Sequence, residues 1–263
     1  MIPILVYHEI SPPPDATFGR LAVTPEAFAT QLEYLVEHGF TTITASALAA
    51  AMATGAPLPE RAVVLTFDDG FADFHERVLP LLRKYGCTAT LFVTTGWIAD
   101  AGRRAAEWRP ERTLTWNQIV EAAADGVEIA AHSHVHPQLD QLGRTRLRAE
   151  LTVSKELLEE AIGTSVPGLA YPFGYSNVTV RRAATEAGYA YACAVGNVMA
   201  SPQGDPLALP RLTIKASTGE DAFGHAVHGR NLSEIYRTER MLTKGWAVVR
   251  RTRAIVTGVP VRA

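Results

Sequence analysis

Two adjacent carboxylates, Asp68 and Asp69, follow the apolar run Ala62–Phe67 (AVVLTF). Neighbouring negative charges at the end of a strand are unfavourable unless a cation lies beside them. Because successive side chains of an extended chain point to opposite sides, one aspartate can ligate a metal ion while the other faces a substrate. The alternative is a plain Asp-Gly turn, since Gly70 follows and this pair is a common turn signal.

Three histidines within five residues, His132, His134 and His136, follow a second apolar run at 127–131. Histidine is the commonest neutral metal ligand, and a second histidine at close spacing is the usual sequence sign of a metal site. If the chain turns helical after the strand, His132 and His136 lie one turn apart and converge, while His134 points elsewhere. The alternative is a loop of exposed histidines.

A third segment, Tyr171-Pro172-Phe173-Gly174, ends another apolar run. An aromatic–proline–aromatic turn at this place can form a groove wall that stacks on sugar rings. The alternative is a hydrophobic strand followed by an ordinary turn. All three segments come directly after predicted strands, which is where α/β barrels place their active sites.

Apolar runs alternate with segments of helical periodicity, which predicts parallel strands joined by right-handed helical crossovers. Thr24 and Thr115 are predicted N-caps, and Gly163 is a predicted helix end. About seven strand–helix units favour a closed barrel over an open doubly wound sheet. The predicted strands are 2–7, 62–67, 88–93, 127–131, 168–171, 189–195 and 207–214, and the predicted helices are 25–38, 71–85, 115–124, 144–162 and 178–187.

The composition is that of an ordinary soluble globular protein, with 263 residues, 47% hydrophobic and 20% charged. One large domain is expected at this length. A net charge of −2 argues against a nucleic-acid partner. Apolar runs long enough for a signal peptide or a membrane span are absent from the sequence, so a cytoplasmic location is expected.

In combination and in order, the segments TFDDG, HSHVH and YPFG resemble the motifs of the polysaccharide deacetylases of carbohydrate esterase family 4, the NodB-homology domain. The resemblance covers residues 1–230 and implies a single-domain, distorted (β/α)7 TIM-like barrel. It also implies a hydrolase of carbon–nitrogen bonds in linear, non-peptide amides. The expected reaction is removal of acetyl groups from an N-acetylated polysaccharide, oligosaccharide or glycolipid.

The same resemblance implies a role for each motif residue. Asp68 is the expected catalytic base, while Asp69, His132 and His136 are the expected ligands of one divalent metal ion. Ser133 is expected to support the loop between the histidines by hydrogen bonding. Zn²⁺ suits these ligands best, and Co²⁺, Ni²⁺ and Fe²⁺ suit them as well.

The YPFG segment is expected to contact the substrate. A metal-activated water would attack the acetamide carbonyl, and the backbone N–H of Phe173 would help to hold the resulting oxyanion. Tyr171 and Pro172 are expected to form the neighbouring wall.

The sequence departs from the family pattern in two places. Where many members have an arginine that steadies the base, this chain has Ala170, and Arg211 is the candidate replacement. The usual late histidine motif for the general acid is also missing. His8, in a segment similar to the start of the biofilm-type poly-N-acetylglucosamine deacetylases, is the expected acid, with His225 and His228 left as alternatives.

The C-terminal segment 231–263 is predicted to be a basic helical tail, with seven Lys/Arg against the single acid Glu239 between residues 237 and 263. Either it packs on the barrel through Trp246, or it makes peripheral contact with a membrane or a partner glycosyltransferase.

Two other functions stay open at the level of sequence. One is hydrolysis of a different carbon–nitrogen bond, in an imide, formamide or ureide. The other is sugar binding by an inactive module on the same barrel. The sugar, its linkage and chain length, the metal identity and the oligomeric state are not readable from the residues.

Overall fold

The computed structural model describes residues 1–12 and 19–241. The strands are β1 (Ile4–Tyr7), β2 (Glu9–Ile10), β3 (Ala22–Val23), β4 (Thr41–Ile43), β5 (Ala62–Phe67), β6 (Thr90–Val93), β7 (Glu128–Ala131), β8 (Gly168–Ala170), β9 (Tyr191–Cys193) and β10 (Leu212–Thr213). The α-helices are α1 (Pro25–Glu37), α2 (Ala45–Thr54), α3 (Leu79–Tyr85), α4 (Trp116–Ala124), α5 (Arg144–Ile162), α6 (Val178–Glu186), α7 (Glu220–Val227) and α8 (Leu232–Ile235).

Within these residues, a wall of parallel strands runs in the order β10, β1, β5, β6, β7, β8, β9. A further strand, β4, pairs with the first half of β5, whereas β6 pairs with its second half. The wall closes through the segment leading into β10, where a parallel bridge joins Cys193 to Leu209 and the N–H of Ala194 donates to the Leu209 carbonyl at 2.8 Å. The predicted distorted (β/α)7 barrel is confirmed.

Strand β5 shows how the barrel places the side chain of Asp68 at the carboxyl end of a strand. All six of its residues are buried, because helices cover its outer face and the barrel interior covers the other. Leu65 and Phe67 belong to the core under the helices, while Val64 belongs to the core inside the barrel. By the same alternation, Thr66 and Asp68 share the inward face with Val64.

Local signals determine the helix ends as predicted. Thr24 Oγ1 accepts a hydrogen bond from the N–H of Ala27, and Thr115 forms a capping box with Gln118. Gly163 ends α5 with a left-handed φ of 70°.

Several elements differ from the predictions. The two-residue strands β2 and β3 were not predicted, and the predicted helix 71–85 is a π-helical segment, Phe74–Val78, followed by α3. Strand β4 and helix α2 were not predicted, because β4 is three residues long and the alanine-rich α2 has no marked polar face. The predicted strand 207–214 is mostly irregular: Pro206–Ala208 is a 3-10 turn, and only β10 is a strand. Pro210 interrupts the run because it has no N–H to donate.

The predicted basic tail lies mostly outside the described residues, which end at 241, and this includes Trp246. Of its first part, α8 is helical, and Tyr236 is only 1% exposed within the core under the helices. None of the helices in the described ranges has the length and hydropathy needed to cross a membrane.

Candidate active site

A cavity of about 600 Å³ opens at the carboxyl ends of the barrel strands. This edge gathers side chains from separate parts of the sequence, since parallel strands all end on the same side. The polar lining includes His8, Asp68, Asp69, His132 and His136. The apolar wall is formed by Leu21, Trp97, Trp108, Val135, Phe173 and Val195.

Three potential ligand atoms meet in this cavity. Asp69, His132 and His136 each offer one ligand atom, and these atoms lie within 4.8 Å of one another. Asp69 Oδ1 is 3.5 Å from Nε2 of each histidine. The carbonyl oxygen of Ala170 lies 2.8 Å from His132 Nδ1 and can only accept, so Nδ1 carries the proton and Nε2 presents its lone pair to the cluster.

The two histidines converge through a loop, and the helical turn that was the condition for their convergence is not formed after β7. Ser133 and His136 have left-handed φ angles of 62° and 58°, and the chain bends between them. Ser133 Oγ accepts the N–H of His136 at 3.1 Å, the contact expected of a supporting residue. His134 points away, and its Nδ1 lies 2.9 Å from Thr95 Oγ1.

The electrostatics of the cluster fit a divalent cation. Burial lowers the pKa of His136 to about 2, with His132 acting in the same direction, and burial lowers the pKa of His132 as well. Both imidazoles are therefore neutral at pH 7. Burial and the charge of Asp68 raise the pKa of Asp69, and Asp69 Oδ1 has no hydrogen-bond partner among the described residues. One carboxylate and two neutral imidazoles form a common ligand set for zinc and similar metals.

Arg211 is fully buried and forms a two-pronged ion pair with Asp68. Its Nη1 donates to Asp68 Oδ1 at 2.6 Å, and its Nη2 donates to Oδ2 at 2.7 Å. Burial alone would raise the pKa of Asp68, but the Arg211 guanidinium, together with His132, holds it below its usual range. Arg211 therefore makes a contact with Asp68 that the short side chain of Ala170 could not make, and its role in place of the family's arginine stays a prediction.

His8 directly follows β1 and lines the cavity, and its buried Nδ1 lacks a hydrogen-bond partner in the described part of the chain. Burial lowers the pKa of His8 to about 4, against the opposing charge of Asp68. The two alternatives lie elsewhere: His225 is exposed, and His228 contacts the ring of Phe40.

Known proteins share the sequence and the fold of this chain. Residues 55–192, more than half of the chain, match the family model described as polysaccharide deacetylase. The chain belongs to the polysaccharide deacetylase family. As a member of it, the protein is a hydrolase of N-acetyl amide bonds.

Individual relatives extend the match beyond those residues. The deacetylase is 28% identical over 223 residues to the Bacillus subtilis (strain 168) protein YxkH, covering 85% of this chain and 75% of that protein. It is 26% identical over 190 residues to the poly-β-1,6-N-acetyl-D-glucosamine N-deacetylase of Escherichia coli (strain K12), which covers 60% of this chain but 28% of that longer enzyme.

Solved structures share the fold. The Streptococcus pyogenes deacetylase PplD, in complex with acetate, superimposes with a TM-score of 0.77 at 27% identity and covers 86% of this chain and 97% of that one. IcaB from Ammonifex degensii gives a TM-score of 0.71 at 23% identity, with 86% and 95% coverage, and supports the fold alone.

The YPFG segment of the deacetylase differs from the prediction in one respect. Tyr171 is fully buried and its hydroxyl donates to the Leu207 carbonyl, so it cannot stack on a sugar. Pro172 is also buried. Phe173 is the residue that lines the cavity, and it is 51% exposed with a left-handed φ of 61°. In a continued strand the side chains of Tyr171 and Phe173 would point to the same side. They do not, because β8 ends at Ala170 and Phe173 has a left-handed φ.

Several residues that shape the site were not predicted. Glu150 Oε2, on α5, accepts the N–H groups of His134 and Val135 at 3.0 and 2.9 Å, which holds the histidine loop in place. Its position on the buried stripe of α5, between Leu147 and Leu151, was the available sequence signal. Trp108 contributes to the wall from a loop without periodicity, so no comparable signal existed.

Proposed function

We propose that this deacetylase removes acetyl groups from an N-acetylglucosamine polymer with the help of a divalent metal ion. The observation that carries the proposal is the meeting of Asp69, His132 and His136 with the Arg211-paired Asp68 in one cavity. Relatives in Escherichia coli and Staphylococcus aureus are poly-β-1,6-N-acetyl-D-glucosamine N-deacetylases, which supports the choice of sugar.

Asp69, His132 and His136 would hold the ion. A bound divalent ion polarises an amide carbonyl and lowers the pKa of a coordinated water. Zn²⁺ suits the donor set, and Co²⁺, Ni²⁺ and Fe²⁺ suit it too. The tautomer that Ala170 imposes on His132 prepares the site for such an ion before it binds.

Asp68 acts as the base that accepts a proton from the attacking water. Each carboxylate oxygen has two lone pairs, so the bonds from Arg211 leave one on each oxygen for the water. The same bonds fix the orientation of the carboxylate and keep it ionised when the water arrives. This preorganisation is the contribution of Arg211 to the reaction.

His8 acts as the acid that protonates the leaving amine. Burial lowers the pKa of His8 to about 4, so the imidazole is neutral in the resting site. The proton that Asp68 takes from the water must therefore pass to His8, which then donates it to the nitrogen as the carbon–nitrogen bond breaks. The backbone N–H of Phe173 serves as a donor to the oxyanion that develops on the acetyl oxygen.

The cavity wall favours a saccharide over a small imide or ureide. Trp97, Trp108 and Phe173 line it with aromatic surface, and Trp108 is 60% exposed at its edge. Aromatic faces stack well on the apolar faces of sugar rings. A narrow cavity with little aromatic surface would have favoured the small substrates.

Acetate release from N-acetylglucosamine oligomers tests the function. We expect the wild-type protein to release acetate, and the Asp68→Asn variant to release none above background, since Asn cannot accept the proton. Succinimide, a formamide and an N-acetylated glycolipid complete the panel. Hydrolysis of succinimide or the formamide without acetate release from any saccharide would replace the proposal with the alternative carbon–nitrogen chemistry.

Replacement of His8 by alanine should leave the metal content unchanged but remove most of the turnover, because the amine would depart unprotonated. The measurement is kcat for acetate release beside metal analysis of the same sample. His225→Ala is the matched control, since this exposed histidine lies outside the cavity, and it should retain full activity. Unchanged kcat in His8→Ala would exclude His8 from the mechanism.

A further inference from the structure

A second cavity of about 440 Å³ lies between helices α5 and α6, on the outside of the barrel. We call it the arginine groove. Three arginines line it, Arg144 and Arg148 from α5 and Arg182 from α6. The hydroxyl-bearing Thr145 and Thr179 lie among them, so the groove offers several hydrogen-bond donors to one ligand.

The arginine groove has an excess of positive charge. Arg182 lies 3.5 Å from the groove's acid, Glu186, and both are exposed. Arg144 and Arg148 form no ion pair with any of the described residues. They stand four positions apart in the first turns of α5, where like charges repel and the helix dipole disfavours cations. The positions of Arg144 and Arg148 therefore do not stabilise helix α5. An anionic ligand bound between them would offset their repulsion.

The arginine groove begins beside the active-site cavity. Helix α5 starts eight residues after His136, and α6 starts five residues after Phe173. The rings of His136 and Phe173 are 4.7 Å apart on the cavity wall. The six residue-to-residue steps from Phe173 to Thr179 span at most about 20 Å even when the chain is extended. A polymer leaving the cavity over Phe173 therefore reaches the groove within a few sugar units.

We propose that the arginine groove is a remote subsite for an anionic group, such as a phosphate ester, carried by the substrate polymer. The proposal rests on the proposed deacetylase function and adds a preference for charged over neutral chains. Guanidinium groups bind phosphate and carboxylate oxygens through paired, charge-assisted hydrogen bonds. The groove is concave and lined by hydroxyls, which suits a single strand better than a flat lipid surface.

The test compares an N-acetylglucosamine pentamer with the same pentamer carrying a terminal phosphate ester. We expect the triple variant Arg144→Gln, Arg148→Gln, Arg182→Gln to lose about 10-fold or more in kcat/KM on the phosphorylated pentamer, mainly through KM, as for lost charge-assisted hydrogen bonds. Its kcat/KM on the neutral pentamer should stay at the wild-type value. Wild-type preference for the phosphorylated pentamer should also fall in high salt.

The matched control removes the same three charges outside the groove, as Arg146→Gln, Arg230→Gln, Arg237→Gln, all at exposed positions. It should act on both pentamers like the wild type. Equal losses on both pentamers in the groove variant, or no loss on either, would overturn the proposal. So would arginine-dependent pelleting with phosphatidylglycerol vesicles combined with equal turnover of both pentamers, which would assign the groove to a lipid surface.

A calorimetric titration separates this proposal from the function on which it rests. If the wild type releases acetate from neither pentamer, the proposed N-acetylglucosamine substrate fails. The arginine groove is then judged by binding alone: tighter binding of the phosphorylated pentamer to the wild type than to the groove variant supports the subsite, and equal binding overturns it.

Discussion

The His136→Ala variant should lose its metal ion and, with it, more than about 100-fold in kcat/KM for acetate release, because even outer-shell partners of metal ligands are worth about 10–100-fold in affinity or activity. His136 Nε2 lies 3.5 Å from Asp69 Oδ1, and its removal leaves two potential protein ligands in the cluster. The measurements are metal content by elemental analysis and turnover of an N-acetylglucosamine oligomer.

His134→Ala is the matched control for this prediction. It removes a histidine from the same loop, two residues earlier, whose Nδ1 faces Thr95 rather than the cluster. It should keep its metal and most of its activity. The assignment of the ligands would fail if His134→Ala lost the metal while His136→Ala retained it.

We expect Arg211→Met to lower the free energy of unfolding by about 3–5 kcal/mol, because the substitution leaves Asp68 buried without its counter-charge. Both side chains are almost inaccessible to solvent, at 1% and 4% exposure. Urea denaturation followed by circular dichroism measures the difference. We expect kcat to fall as well, since nothing would orient Asp68.

Two further variants separate charge from geometry in this pair. Arg211→Lys keeps the charge but cannot reproduce the two-pronged contact, so it should recover stability only in part. The double variant Asp68→Asn, Arg211→Met should be more stable than Arg211→Met alone, since it buries no unpaired charge. Equal stability of Arg211→Met and the wild type would show that the buried pair contributes nothing to folding.

Much of the fold was predictable because the relevant signals are local. Helix α1 begins after Thr24, α4 after Thr115, and α5 ends at Gly163 because these residues satisfy or terminate the helix backbone within a few positions of themselves. Strand β5 was recognisable because burial on both faces demands a continuous apolar run. The segment 207–214 was mispredicted because an apolar run alone does not show how many of its backbone groups find partners.

The sequence was enough to name most candidate residues of the site, but not to predict how the loops arrange them. Asp68, Asp69, His132 and His136 were identifiable because carboxylate pairs and close histidines are costly or rare without a ligand. The loop that joins the histidines depends on Ser133 and Glu150, and the latter contact crosses from another element. Tyr171 was expected in the wall beside the substrate but is buried, because the residue at which β8 ends depends on hydrogen bonds to other strands, which the sequence does not show.

The sequence by itself determined which side chains can ligate a metal ion or transfer a proton. It also determined that they follow parallel strands, whose carboxyl ends lie at one edge of the barrel, since residue type and short-range periodicity are local properties. Only the tertiary structure decided which side chains meet. Asp68 and Arg211 are 143 positions apart in the sequence. They meet because β10, which follows Arg211, pairs with β1, and β1 in turn pairs with β5, which ends just before Asp68. The arginine groove arises in the same way, from two helices whose charges become neighbours only when the barrel wall sets them side by side.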